Sequence, residues 1–468
     1  MELVSPAGNI EKLLYAYEYG ADAVYIGLKK FSLRIKADNF YEDEYKKINE
    51  IKKQHPNKKL YCALNISFHN SDIEQFISDI DYFKSYPIDS FIIQDMGMVN
   101  ILKKYFPNVK LHLSTQANCI NKEAVKFYMN QGFSRVVLGR ETSLKEVRAI
   151  KDYVPQMELE AFAHGAMCIA YSGRCLMSAY LTGRSANKGF CSHSCRWNFR
   201  SHISTKDIAK SGLLVLEEAE RKGEFFPVFE GEDYTAILSS KDLCMIEHLD
   251  TMKDAGIDSL KIEGRMKSLY YCALVTRAYR KAIDSLYGKI SETDAKPYID
   301  ELYKTNHREF TTGFYFNRSE ANKTTRGESN SDYEMAGTIS HVLTDEDTKK
   351  IFELAKNNYE QKQIEISLLH PNAIGKIENI QKEMSKFFLE PKAGYKFYSF
   401  EPLNKIYKNM KIEYVGPDIL SIKDDSFILI NPEDGTQMDW VCHNHKCLIY
   451  TNKKIEKNWI VRFNINSY

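Results

Sequence analysis

Four cysteines lie close together near the middle of the sequence. They are Cys168, Cys175, Cys191 and Cys195, which fall within 28 residues at the spacing C-x6-C-x15-C-x3-C. The last two are four residues apart, so one face of a helix would direct both sulfur atoms the same way. Four thiolates that meet at one point are suitable ligands for an iron–sulfur cluster or a tetrahedral zinc ion. The spacing alone does not distinguish these two sites.

These cysteines also have simpler interpretations. A buried cysteine often serves only as a small hydrophobic residue, and two of the four would be enough for a disulfide. The flanking glycine, serine, arginine and asparagine residues do not form an apolar stripe, which favours a metal or cluster site. The N-terminus does not resemble a secretory signal, so a reducing, cytoplasmic location is expected. The C-x3-C-x2-C loop of radical enzymes is not matched, because Asn198 stands where its third cysteine would be.

The segment around the cysteines is basic, although the whole chain has a net charge of only +1. Between Cys168 and Lys206 there is no Asp or Glu, whereas Arg196 and Arg200 are two of six Lys and Arg residues. Such a segment attracts phosphate, carboxylate or nucleic acid. Aromatic residues such as Trp197 lie among these cations, a pattern suited to stacking on the bases of single-stranded RNA. A solvated loop whose aromatic rings pack on the rest of the fold is the alternative.

Short apolar runs alternate with longer helical patterns before and after this segment. Strands that alternate with helices are typical of a parallel sheet, and eight of them are the number in a (β/α)8, or TIM-like, barrel. The eighth run is delayed by a cysteine-rich insertion after strand seven, at about residues 166–235. The predicted strands are Glu2–Ser5, Ala23–Leu28, Leu60–Ile66, Ser90–Gln94, Lys110–Ser114, Arg135–Leu138, Glu158–Ala163 and Asp258–Ile262.

Polar residues follow most of the predicted strands. In a (β/α)8 barrel the carboxyl ends of the strands carry the active site, so this ring of side chains is expected to form one. Each residue taken singly has the alternative of a structural salt bridge or a helix cap. The members that carry chemistry are Asn65, Gln116, Arg140, His164, Glu263 and Arg265.

The chain is expected to divide into a barrel over residues 1–317, a polar linker over 318–334 and a small β-rich domain over 335–468. Alternating apolar residues separated by Pro, Asp and Gly turns predict strands in the last part. Cys442 and Cys447 enclose two histidines there, and a turn is favoured over a zinc site because a spaced second ligand pair is missing. No apolar run reaches 18 residues, so no membrane span is expected.

Several of these segments together resemble the peptidase U32 family, whose members are also described as collagenase-like proteases. The resemblance covers residues 1 to about 315 and depends on the order and spacing of many motifs. Within the family, the sequence is most similar to the branch that hydroxylates tRNA. The motifs are Leu3–Gly8, Ser114–Asn118, Leu138–Glu141, Glu160–Trp197, Ser240–Leu243 and Lys261–Lys267.

The resemblance implies an enzyme that converts the wobble uridine of tRNA to 5-hydroxyuridine, with prephenate as a co-substrate. It also implies a 4Fe–4S cluster on the four cysteines already named. Zinc, which their spacing also suits, stays open as the alternative metal. The expected partners are therefore tRNA and a small dicarboxylate. A homo-oligomer and a hetero-oligomer with a paralogue of the same family both stay open.

Roles for single residues follow from their chemistry. The planar guanidinium group binds a carboxylate through two hydrogen bonds, and prephenate has two carboxylates. Arg34, Arg140 and Arg265 are therefore candidate ligands of prephenate, while Arg196 and Arg200 are candidate contacts to RNA. Asn65 is a further candidate for binding substrate. The candidate catalytic residues are Gln116, Glu263 and His164, of which His164 is suited to transferring a proton.

Three other functions remain as alternatives. One is a U32-type peptidase, although the sequence contains neither His-Glu-x-x-His nor Gly-x-Ser-x-Gly. Another is an iron–sulfur hydroxylase of ribosomal RNA or of ubiquinone biosynthesis. The last is a non-catalytic RNA-binding protein with a structural zinc ion. Iron, zinc or peptide cleavage in a pure sample would distinguish these classes.

Overall fold

The computed structural model divides the chain into two compact units, Met1–Asn330 and Ser331–Tyr468. The boundary falls within the predicted linker, and the first strand of the second unit begins at Tyr333. Among the described residues, no helix combines the length and apolar character needed to span a bilayer. The structure describes residues 1–28, 31–32, 40, 43–167, 172, 214–217, 225–230, 235–236, 240–317, 331–369, 374–387 and 390–466.

The first unit begins with seven parallel strands that alternate with helices. Local sequence sets the helix starts: Asn9 accepts a hydrogen bond from the backbone N–H of Lys12, and Ser143 forms a capping box with Glu146. The strands are β1 (Glu2–Pro6), β2 (Ala23–Ile26), β3 (Lys59–Leu64), β4 (Ser90–Ile93), β5 (Lys110–Leu113), β6 (Arg135–Val137) and β7 (Glu158–Ala166). The helices are α1 (Ile10–Glu18), α2 (Tyr45–Gln54), α3 (Asn70–Ser78), α4 (Ile80–Lys84), α5 (Met98–Tyr105), α6 (Lys122–Asn130) and α7 (Leu144–Tyr153).

The remaining elements of this unit follow the insertion or belong to it. Strands β8 (Leu214–Glu217), β9 (Phe225–Glu230) and β10 (Thr235–Ala236) form a small antiparallel sheet. Strand β11 (Asp242–Cys244) pairs antiparallel with the end of β7. After these come α8 (Leu249–Asp254), β12 (Ser259–Ile262), α9 (Leu269–Leu286), α10 (Glu292–Asp300) and β13 (Phe310–Thr311), with short 3-10 helices at Thr115–Ala117, Ile246–His248 and Glu301–Lys304.

Strand β12 closes the barrel. It pairs in parallel with β1 on one side and with β7 on the other, so the eight strands form a complete ring. The predicted (β/α)8 barrel is therefore confirmed, and each predicted strand overlaps an observed one. The apolar core lies mainly between the strands and the surrounding helices. Inside the ring, a smaller apolar cluster that includes Val4, Tyr25 and Ile92 lies close to charged residues of β6, β7 and β12.

The second unit is built around an eight-stranded antiparallel sheet. The predicted β-rich region is confirmed, but two helices, α11 (Asp345–Ser367) and α12 (Ile374–Phe387), were not predicted. The strands are β14 (Tyr333–Val342), β15 (Lys396–Pro402), β16 (Ile406–Tyr407), β17 (Ile412–Val415), β18 (Ile422–Asp424), β19 (Ile428–Ile430), β20 (Gln437–Met438), β21 (Trp440–Val441), β22 (Cys447–Thr451) and β23 (Ile460–Asn464). The order of the strands in the sheet is β18-β17-β23-β14-β15-β22-β19-β20.

The segment from Cys442 to Cys447 forms a turn, as its sequence indicated. The backbone N–H of His445 donates to the carbonyl of Cys442 at 3.1 Å, which closes a turn, and Asn444 has a φ of 70°. Cys447 begins β22 and is buried in the sheet. Among the residues that the structure describes, no group of three or more His, Cys, Asp and Glu side chains is arranged to hold a metal ion.

Candidate active site

A polar pocket lies at the carboxyl ends of the barrel strands. Five residues selected from the sequence come together there: Asn65, Gln116, Arg140, Glu263 and Arg265 all line it. They come from segments that follow β3, β5, β6 and β12. Parallel strands in a closed barrel end on one face, which is why residues more than a hundred positions apart in sequence meet here.

Local structure places several of these side chains. The Ser114 hydroxyl accepts from the backbone N–H of Gln116 at 3.2 Å and begins the 3-10 helix after β5. Gly27, directly after β2, leaves space for the side chain of Arg265. A Cβ atom at this position would overlap Nη1 of Arg265, so a larger residue at position 27 would displace the arginine from the pocket.

Arg140 is held on two sides. Its Nη2 atom donates to Oε2 of Glu263 at 2.9 Å, and its guanidinium carbon lies 3.9 Å from the ring centre of Phe162. The side chains of Arg140 and Glu263 are 11% and 18% exposed, so this ion pair is largely shielded from water. Contacts with a carboxylate and a ring face leave the guanidinium little freedom to turn.

Arg265 is more deeply buried, with 4% of its surface exposed. Its Nη1 atom donates to the hydroxyl of Ser32 at 2.8 Å. The guanidinium carbon lies 5.9 Å from the ring centre of Tyr25. Arg140 is thus fixed by an ion pair and a ring face, and Arg265 by a hydroxyl and a ring. This prepares both to bind a ligand without a large loss of side-chain entropy.

Lys261 is a pocket residue that the sequence analysis did not select. It lies inside β12, and its ammonium group donates to Oε1 of Glu160 at 2.6 Å. A signal was present in the sequence: Ser259, Lys261 and Glu263 alternate, so all three face the same side of the strand. Because apolar residues also alternate with these three, the pattern alone did not indicate that this face is the inside of the barrel.

Charge in the pocket favours an anion. Among the described residues that line it, three side chains are cationic, Arg140, Lys261 and Arg265, and one is a carboxylate, Glu263. Beneath the lining, Glu160 pairs with Lys261. Charges in a recessed site with little water interact more strongly with a ligand than charges on an open surface. The site is therefore suited to a small ligand that carries carboxylate groups.

His164 follows an irregularity in β7 and does not line the pocket. In the pairing of β7 with β12, Lys261 lies opposite Phe162 and Ile262 lies opposite His164, so Ala163 is an extra residue. A bulge of this kind changes the direction of the side chains that follow it. Phe162 faces the pocket, whereas His164 packs elsewhere, although strict alternation would put both on the same face.

The ring of His164 is buried among aromatic residues. Its centroid lies 5.9 Å from that of Tyr271, and 5.5 Å from those of Tyr279 and Phe310. Nδ1 of His164 is 3.4 Å from the Tyr279 hydroxyl. Burial in this environment lowers the pKa of His164 from its ordinary value of 6.5 to about 3. The imidazole is therefore neutral near pH 7.

This buried imidazole should make the free energy of unfolding depend on pH. The pKa of His164 is lower in the folded protein than in the unfolded chain, so the unfolded chain binds the additional proton and stability falls as the pH drops from 6.5 towards about 3. His164→Phe keeps a ring and removes this titration. We expect the variant to lose less stability on acidification, by up to about 1.4 kcal/mol per pH unit. Urea unfolding at a series of pH values measures the difference.

The matched control for this experiment is His443→Phe, which removes an exposed imidazole from the second unit. We expect its pH dependence to follow that of the unchanged protein. Identical slopes for His164→Phe and the unchanged protein would contradict the assignment of a buried, neutral His164.

Other residues selected from the sequence lie outside the described part of the chain. These are the proposed prephenate ligand Arg34, the proposed RNA contacts Arg196 and Arg200, and the four cysteines Cys168, Cys175, Cys191 and Cys195. Strand β7 ends at Ala166, two residues before Cys168. The chain therefore enters the cysteine segment from the end of a barrel strand.

A closed parallel barrel with a charged pocket at the carboxyl ends of its strands defines the chain as a (β/α)8-barrel protein of the kind that carries active sites. Within this class, residues 8–325 match peptidase family U32. The chain belongs to this family, as the motifs in its sequence predicted. The matched range contains every pocket residue described above.

Several other proteins are similar to this chain over about two thirds of its length or more. The tRNA hydroxylation protein P of Escherichia coli (strain K12) is 39% identical over 339 residues, which are 67% of this chain and 74% of that protein. The tRNA hydroxylation protein P1 of Bacillus subtilis (strain 168) is 37% identical over 373 residues, 79% of this chain and 83% of that protein. The 23S rRNA 5-hydroxycytidine synthase of E. coli is 35% identical over 321 residues, 67% of this chain and 45% of that protein.

Proposed function

We propose that this protein is a tRNA hydroxylase that converts the wobble uridine to 5-hydroxyuridine, with prephenate as co-substrate and a 4Fe–4S cluster as cofactor. The observation that carries the proposal is the identity of 37–39% to two tRNA hydroxylation proteins over at least two thirds of this chain. The cationic pocket supports it independently, because a dicarboxylate co-substrate requires such a site.

The four cysteines supply a donor set that fits an iron–sulfur cluster. Four thiolates are the usual ligands of a cubane, and Cys168 follows the end of β7 by only two residues. Cys175, Cys191 and Cys195 would complete the set. When bound, such a cluster supplies a one-electron redox centre, which hydrolysis of a peptide does not need.

The pocket residues have separate tasks in this proposal. Arg140 and Arg265 each bind one carboxylate of prephenate, and the ion pair with Glu263 orients Arg140. The amide side chains of Asn65 and Gln116 form hydrogen bonds with the substrate. This division follows from chemistry, since guanidinium groups match carboxylates and amides match groups that both donate and accept.

The RNA substrate approaches from the same face of the barrel. Arg196 and Arg200 contact phosphates, and the uracil ring leaves its stack to reach the pocket. In an anticodon loop the bases are already splayed, so this movement costs less than it would in a duplex. The reaction takes place in the cytoplasm, where the protein meets tRNA.

The proposal is tested on the RNA of cells that lack this protein and any paralogue of it. We expect 5-hydroxyuridine and its derivatives to disappear from tRNA nucleosides analysed by mass spectrometry, and to return when the unchanged gene is restored. Persistence of these nucleosides at the normal level would show that the assignment is wrong. Loss of 5-hydroxycytidine from ribosomal RNA would instead favour an rRNA hydroxylase. Cleavage of peptides by a homogeneous sample would favour a peptidase.

A further inference from the structure

Lys261 lies further into the barrel than the other two cations of the pocket. Arg140 and Arg265 both follow the ends of strands, whereas Lys261 is within β12. Its side chain is only 6% exposed. Its Nζ atom is 2.6 Å from Oε1 of Glu160 and 4.2 Å from the ring centre of Tyr25. The ammonium group therefore forms part of the inner wall of the pocket.

Glu160 holds this ammonium group from below. Its side chain is completely buried, and Oε2 accepts hydrogen bonds from Arg135 at 2.9 Å and from Ser259 at 3.4 Å. Burial opposes ionisation of Glu160, but the charges of Lys261 and Arg135 outweigh it and hold the pKa at about 2. The carboxylate stays ionised near pH 7 and gives Lys261 a fixed position.

A buried ion pair is rarely the most stable choice for this position. Two charges lose their hydration when they are buried, and well-packed apolar residues of similar volume are often as stable or more so. Apolar side chains already fill the neighbouring positions inside the ring, including Val4, Ala23 and Ile92. Stability alone therefore does not account for a lysine on the inner wall, whereas a bound anion or carbonyl oxygen does.

The chemistry of the ammonium group indicates what it would bind. It has three N–H donors and no acceptor. One donor is engaged by Glu160, and the group also lies over the face of Tyr25. With Arg140 and Arg265 on the two carboxylates, the keto oxygen and the ring hydroxyl of prephenate remain. Only the keto oxygen accepts without also donating, so it is the group that requires a donor. A point charge such as an ammonium suits a single oxygen better than a planar fork does.

We propose that Lys261 donates a hydrogen bond to the keto oxygen of the bound co-substrate, and that Glu160 is a positioning residue that holds Lys261 in place. The identity of the ligand rests on the proposed function. Lys261 would then select 2-keto dicarboxylates over dicarboxylates that lack a keto group. Prephenate and its isomer chorismate provide this comparison, because both have two carboxylates and only prephenate has a ketone.

The test measures binding of both compounds to the full-length protein, purified without oxygen, by isothermal titration calorimetry. Lys261→Met alone would remove one of the two cations that neutralise the buried Glu160 carboxylate, and this could destabilise the fold. The double variant Lys261→Met with Glu160→Gln is therefore made as well, because it removes both charges. We expect the double variant to bind prephenate about tenfold or more weakly, since a charge-assisted hydrogen bond is lost. Its affinity for chorismate and for tRNA should change little.

Two further variants distinguish a specific effect on prephenate binding from a general effect on the protein. Lys59→Met is the matched control, because Lys59 is 53% exposed and contacts Glu2 at 3.4 Å, at the end of the charge network away from the pocket. It should bind prephenate as the unchanged protein does. Glu160→Gln alone should raise KM for prephenate more than it lowers kcat, a separation that a purely structural role would not produce.

Unchanged prephenate affinity in the double variant, or an equal loss for chorismate, would overturn the role of Lys261. Selective loss of prephenate binding in a protein that does not hydroxylate tRNA would support Lys261 and reject the proposed function. Failure of the unchanged protein to bind prephenate would reject the role of Lys261, whether or not tRNA is hydroxylated.

Discussion

Serine in place of any one of the four cysteines is expected to abolish tRNA hydroxylation and to remove the proposed iron–sulfur cluster. Cys168, Cys175, Cys191 and Cys195 are the proposed ligands, one for each of the four irons of a 4Fe–4S cubane. The serine hydroxyl is almost entirely protonated near pH 7 and is a harder ligand than a thiolate, so it replaces the lost iron ligand poorly. Iron and sulfide content after anaerobic purification, together with 5-hydroxyuridine in tRNA from complemented cells, measures both effects.

The control for this prediction is Cys442→Ser. Cys442 lies in a turn of the second unit and donates to the carbonyl of His443. This variant should retain both the cluster and the activity. Stoichiometric zinc without iron in the unchanged protein would contradict the prediction and favour an RNA-binding protein with structural zinc. A serine variant that keeps full iron would remove that residue from the ligand set.

Arg265→Lys is expected to raise KM for prephenate by about 100-fold, which would be the largest effect of a single pocket substitution. Arg265 is almost fully buried and its Nη1 is already bonded to Ser32, so the guanidinium presents a fixed group to the ligand. A lysine keeps the charge but cannot bind both oxygens of a carboxylate in one plane. Steady-state kinetics with saturating tRNA give KM and kcat separately.

A buried arginine can also be needed for folding, so this prediction needs a matched control. Arg280→Lys makes the same substitution on α9, where Arg280 is paired with Asp22 at 3.1 Å and Asp284 at 2.9 Å outside the pocket. We expect normal KM in this variant. Thermal unfolding of both proteins reports any loss of stability. A KM for Arg265→Lys within a few-fold of the normal value would exclude Arg265 as a carboxylate ligand.

Helices α11 and α12 of the second unit were not predicted, and the sequence of α11 gives only a weak helical pattern. Residues 345–387 are strongly polar, and few side chains of α11 are buried, among them Ile351 and Ala355. When a helix buries so few side chains, its apolar residues do not recur clearly every three or four positions. The prediction therefore followed the alternating apolar pattern of the strands on either side. The N-cap was readable, since Thr344 accepts from the backbone of Asp347 at 3.1 Å.

Among the candidate site residues, the sequence predicted the position of five pocket residues correctly but not that of His164. Asn65, Gln116, Arg140, Glu263 and Arg265 were predictable because a polar residue directly after a barrel strand must lie at the carboxyl face. His164 also follows this rule in sequence. Its side chain nevertheless lies among aromatic rings, because the bulge at Ala163 changes the direction of the residues after it. The bulge forms where β7 pairs with β12, which lies nearly a hundred residues further along the chain, so the local sequence does not reveal it.

By itself, the sequence determined the number and order of the barrel strands, the polar ring at their ends and the set of four cysteines. These follow from local periodicity and residue type, which act over a few neighbouring residues. Only the tertiary structure decided which charges meet. The contact of Lys261 with Glu160 and that of Arg140 with Glu263 each join residues about a hundred positions apart, and they exist because β12 closes the ring beside β7. Closure is a long-range pairing, so no local pattern specifies these contacts.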